Sequence, residues 1–62
     1  MKYSEAERKL RRAGCYLIGE RNGHPYWYSP ITGQEFKMGH HHNTEMAKGT
    51  QKQISKLSGV KL

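Results

Sequence analysis

The chain has 62 residues, 34% of them apolar, and carries 11 Lys and Arg against five Asp and Glu, for a formal charge of +6. That length allows one domain, residues 1–62, with a thin core, and no apolar stretch approaches the ~20 residues of a membrane span. The basic surplus on so small a body favours a polyanionic partner, nucleic acid first and an acidic protein second.

Residues 4–13 read as a first helix. Ser4 is the expected N-cap, with Glu7 completing a capping box. Tyr3, Ala6, Leu10 and Ala13 form one narrow apolar stripe, and Gly14 supplies the stop. Cys15–Arg21 reads as a strand. Asn22-Gly23 is a two-residue hairpin signal, because a type I′ turn needs positive φ at both positions. His24–Tyr28 is the second strand, and Pro25 argues for an edge position or an irregular entry. Ser29–Gly33 has turn chemistry, Gln34–Met38 is the third strand, and Gly39–Gly49 is irregular. Thr50 is the expected cap of the last helix, with Gln53 at the capping-box position, Ile54 and Leu57 facing inward and Gly59 ending it.

The order is therefore α-β-β-β-α, an α+β fold. Its simplest packing is a three-stranded antiparallel sheet with both helices on one face and the other face open. Strand alternation puts Trp27, Phe36 and Met38 in the core beneath Leu10, Leu17, Ile54 and Leu57. His24, Tyr26 and Tyr28 then share the open face.

The single cysteine, Cys15, rules out an internal disulfide and suits a reducing compartment. The first residues turn polar at once, leaving no secretory apolar core. A cytoplasmic protein is expected.

Among candidate functional residues, His24 stands first. Imidazole titrates near ~6.5 and can take or give a proton at cellular pH. RNA carries its own nucleophile, the 2′-hydroxyl, so cleavage needs only a base, an acid and charge stabilisation. His40-His41-His42 cannot easily hold one ion, since neighbours in extended chain point to opposite faces and no Cys-x-x-Cys set accompanies them. No metal and no cofactor are expected. Asp is absent and the glutamates are scattered, which argues against a two-metal nuclease. Lys48, Thr50 and Lys52 open the last helix, where free N–H groups and the dipole favour an anion. Tyr16, Tyr26, Trp27 and Tyr28 can offer stacking surfaces to bases, though Trp27 suits core packing better than the tyrosines do.

The order helix, Gly14, strand, Asn22-Gly23-His24, aromatic Trp27, His41, then Gly49-Thr50 and an amphipathic helix resembles the HicA family of toxin ribonucleases over essentially the whole chain. The family's Gly-Ser-His turn is matched by Asn22-Gly23-His24, its Val-Pro-x-His by Met38–His41, and its Gly-Thr-Leu-x-x-Ile-Leu by Gly49–Ser55. The chain departs from the pattern at Asn22, Gly23, Pro25, Gly39, Gln51 and Ser55. The resemblance implies a double-stranded-RNA-binding-domain-like fold, metal-independent cleavage of mRNA with arrest of translation, and a HicB-type antitoxin as partner. The family's catalytic histidine carries over to His24. His41 or Lys48 are the expected helpers, and Arg21, Asn22, Tyr26, Tyr28, Lys48, Thr50 and Lys52 the expected RNA contacts. A non-catalytic RNA-binding module and a basic protein-interaction subunit remain as alternatives.

Overall fold

The computed structural model describes residues 1–39 and 43–62. Its elements are α1 (Tyr3–Arg12), β1 (Tyr16–Arg21), β2 (His24–Ser29), β3 (Gln34–Lys37) and α2 (Lys48–Ser58). The strands form one antiparallel sheet in the order β1-β2-β3. The expected α-β-β-β-α fold is thus present, with strand ends within one residue of their predicted places.

Trp27, Phe36 and Met38 lie in one buried cluster with Ala6 and Leu10 of α1 and Ile54 of α2. Both helices therefore cover the same sheet face. Trp27 pairs with Phe36 across β2 and β3, so the two largest inward rings are cross-strand neighbours. Cys15 and Met46 complete the buried core, with Leu57 packed against its edge.

Helix α1 starts at Tyr3 with Lys2 as N-cap, so Ser4 is not the cap. The reason is tertiary. Lys2 bridges to Glu45, Tyr3 N–H donates to the Thr44 carbonyl (3.1 Å) and Met46 N–H to the Met1 carbonyl (2.8 Å). These contacts hold residues 1–3 against 44–46, and Glu5, not Glu7, accepts from the Lys2 N–H (3.3 Å). The N-terminal ammonium is hydrogen-bonded to Glu45 (2.8 Å) and holds that carboxyl below its ordinary value. At the other end, Gly14 at φ 98° donates to the Arg11 carbonyl and Cys15 N–H to the Leu10 carbonyl. This is a Schellman stop that only a residue tolerant of positive φ supplies cheaply.

Helix α2 likewise begins earlier than predicted. Its N-cap is Ala47, and Thr50 lies inside the first turn. Its C-terminal carbonyls, which have no partner within the helix, receive hydroxyls from the β2–β3 turn: buried Ser29 donates to Ser58 and Thr32 to Leu57. Gly59 ends the helix in the left-handed region, as expected.

Three packing expectations need correction. β2, the strand holding Pro25, is central. Its proline is tolerated because it precedes the last β2–β3 pair, Tyr26 with Lys37; there the Pro25 carbonyl accepts from the Met38 N–H (2.9 Å). Leu17, predicted in the core, is 48% exposed. It sits opposite Trp27 but on the edge strand. There it borders a cavity of about 170 Å³, also lined by Glu7, Arg11, Glu20, Pro25, Trp27 and Gly39, that opens beside α1. Ala13 is exposed as well, which shortens the α1 stripe to Tyr3, Ala6 and Leu10.

Candidate nucleic-acid interface

The β1–β2 hairpin positions the central residues. Asn22 at φ 53° and Gly23 at φ 79° make the two positive-φ positions of the predicted turn. Arg21 and His24 are therefore cross-strand partners flanking a tight, conformationally specified loop. His24 is exposed at the first position of β2.

A register shift between Leu17 and Gly19 decides which side chains join His24. Without it, simple alternation back from the Arg21–His24 pair would turn Tyr16 to the helix side and Leu17 to the open one. The extra residue at the bulge reverses the alternation, a known effect of such insertions. Tyr16 then stands opposite Tyr28, Gly19 opposite Tyr26, and Arg21 opposite His24, all on the open face. Gly19 adopts φ 144°, a conformation that side chains resist.

The Arg21 guanidinium sits 5.1 Å from the centroid of the Tyr26 ring and 2.6 Å from a Glu35 carboxylate oxygen. Both partners of that ion pair are solvent-exposed, so its net strength is small. Tyr16 and Tyr28 rings lie 5.6 Å apart at 48°. Lys37 is the cross-strand neighbour of Tyr26 on β3. The structure thus brings Arg21, His24, Tyr26 and Tyr28 onto one face, with Asn22 exposed at the turn beside them.

Lys48, Thr50 and Lys52 belong to a different layer, on the first turns of α2. Lys48 and Lys52 are exposed and Thr50 is half-buried. The α2 C-terminus is tied to Ser29 and Thr32 at the far end of β2. Its N-terminus therefore points toward the His24 end of the sheet, and Thr50 shares a groove of about 240 Å³ with Lys37. The two groups share an end of the molecule but not a face. His41, with His40 and His42, lies outside the described residues.

Among the described residues, no three His, Cys, Asp or Glu side chains converge. None of the described helices is long and apolar enough to cross a membrane. The placement of Tyr16 depends on the bulge, and the one cue in the sequence is a glycine, Gly19, within a strand pattern.

The sequence model of the family described as HicA toxin of bacterial toxin-antitoxin matches residues 3–60. The chain belongs to the HicA toxin family. It is accordingly the toxin of a toxin–antitoxin system, and an antitoxin is its partner. No curated protein and no solved structure gives a significant match. The matched span of this HicA toxin runs from the first residue of α1 to just beyond α2, so it includes both the hairpin and the α2 N-terminus.

Proposed function

We propose that this HicA-family toxin is a cytoplasmic, metal-independent endoribonuclease that cleaves mRNA and arrests translation, with a HicB-type antitoxin as its inhibitor. The observation that carries this reading is the setting of His24. Its imidazole is exposed beside a tight turn and a guanidinium, on a face that neither described helix covers.

In this mechanism His24 removes the proton from a 2′-hydroxyl. The 2′-oxygen attacks the adjacent phosphorus, the bond from phosphorus to the 5′-oxygen breaks, and that oxygen takes a proton. The products are a 2′,3′-cyclic phosphate and a 5′-hydroxyl. Lys48 or His41 serves as acid or charge stabiliser. Arg21, Asn22, Tyr26, Tyr28, Lys48, Thr50 and Lys52 bind the RNA. Positioned proton transfer of this kind contributes about 10²–10⁴-fold in rate.

The test is induced expression of wild type and His24→Ala, following growth and mRNA integrity, with analysis of product ends from the purified protein. Arrest and mRNA loss with wild type alone, and cyclic phosphate ends that form in EDTA, are expected. Arrest by both proteins would mean toxicity through binding. Ends carrying a 3′-hydroxyl would rule out the 2′-hydroxyl as nucleophile.

A further inference from the structure

We infer that the open sheet face is a stacking platform for the bases of single-stranded RNA, formed by Tyr16, Tyr26 and Tyr28. This rests on the ribonuclease reading above and names the form of its substrate.

Three observations support the platform. First, the tyrosines occupy one face. Tyr26 and Tyr28 are two residues apart on β2, a separation of about 7 Å along the strand, and Tyr16 is the cross-strand partner of Tyr28. Tyr16 is 50% exposed on the edge strand β1. Second, the rings do not consume one another. The Tyr16–Tyr28 pair is tilted by 48° rather than stacked. Tyr26 faces Gly19, where an added Cβ would meet nothing within 4 Å. That gap leaves room for a flat group beside the Tyr26 ring, whose neighbour on the other contact is the Arg21 guanidinium. Third, the charge around the rings suits a phosphate backbone. Arg21 and Lys37 are cross-strand neighbours of His24 and Tyr26, and Glu35, the acid on this face, is already paired with Arg21.

Single strands fit this surface and duplexes do not. In a duplex the base faces are stacked on each other and out of reach of side chains, whereas unpaired bases can be splayed onto aromatic rings. The arrangement also sets bases next to His24, on the same strand and the same face. A base on Tyr26 would thus bring its own ribose or its neighbour's toward the imidazole.

The experiment is a binding titration of the full chain with a labelled, fully 2′-O-methylated oligoribonucleotide, which cannot be cleaved through its 2′-oxygen. The probe is used single-stranded and annealed to its complement. Tyr16→Ala, Tyr26→Ala and Tyr28→Ala are compared with the Phe variant at each position, and circular dichroism establishes that each is folded. The platform predicts tighter binding of the single strand. It also predicts that each Ala variant loses roughly 5- to 150-fold in single-strand affinity, while each Phe variant, which keeps the ring, stays near wild type.

Equal or tighter duplex binding, or Ala variants that bind the single strand like wild type, would overturn the platform. The ribonuclease reading would then still stand or fall on the His24→Ala growth assay. Ala variants that keep RNA affinity but escape neutralisation by the co-expressed antitoxin would assign the face to that protein, and so also overturn the proposal.

Discussion

The two faces of the sheet are built from alternate residues of the same strands, yet they obey different rules. On the helix-covered face, Trp27 and Phe36 are almost completely buried and each touches residues of several elements. On the open face, one residue along, His24 is exposed and Tyr26 and Tyr28 are half-buried. Alternation therefore separates what folds the chain from what it offers to a ligand. In a 62-residue protein there is little spare core, so this separation is sharp. Substitutions on one face should be read in melting curves and those on the other in binding and activity.

The strongest way to break the comparison is Phe36→Ala. A buried aromatic truncated to alanine costs about 3–5 kcal/mol. A domain of this size holds about 3–9 kcal/mol in total at the usual stability per residue. Chemical denaturation should show Phe36→Ala largely or wholly unfolded, while His24→Ala keeps the wild-type midpoint. A matching loss of stability in His24→Ala would mean that the open face also maintains the fold.

Gly59→Ala comes next. Gly59 has φ 74°, and an added Cβ would lie 2.9 Å from the Ile31 Cγ2 and 3.0 Å from the Thr32 Cγ2. The left-handed conformation alone costs a non-glycine residue about 1–2 kcal/mol, and the crowding adds to it. Both contacts belong to the turn whose hydroxyls cap α2, so the expected result is a lowered thermal midpoint with RNA binding retained once folded. An unchanged midpoint would show that the turn yields freely and that the capping contacts matter little.

What the sequence reveals divides along the same line. The hairpin, the Gly14 and Gly59 stops and the Trp27–Phe36–Met38 core are legible because each rests on local chemistry: positive φ or strict alternation. The helix starts are not. Ser4 and Thr50 carry sound local signals, but the pairing of residues 1–3 with 44–46 and the burial of Met46 set both beginnings from a distance. The position of Pro25 in a central strand depends on where β3 ends, which no residue of β2 encodes. In the candidate site, strand alternation is enough to put His24 and the tyrosines of β2 on one face. Arg21 joins them through the Asn22-Gly23 turn, which pairs it with His24, whereas Tyr16 reaches their face only through the bulge at Leu17–Gly19; Leu17 is exposed because β1 is an edge strand.

The smallest effect sharpens the comparison most. Arg21 is held by Glu35 at 2.6 Å, but both side chains are largely in water, 58% and 42% exposed. An exposed pair of this kind contributes about 0.2–1 kcal/mol and is screened by salt. Glu35→Gln should therefore shift the denaturation midpoint only slightly, and the shift should shrink further in molar salt. The same substitution frees Arg21 and removes a negative charge from the face meant to receive phosphates, so affinity for single-stranded RNA should rise modestly at low salt. Stability and binding would then move in opposite directions, as expected where a side chain restrains a ligand-binding group without supporting the core. A stability loss of several kcal/mol would instead make the Arg21–Glu35 pair a structural strut, and the open face would have to be counted as part of what holds the three strands together.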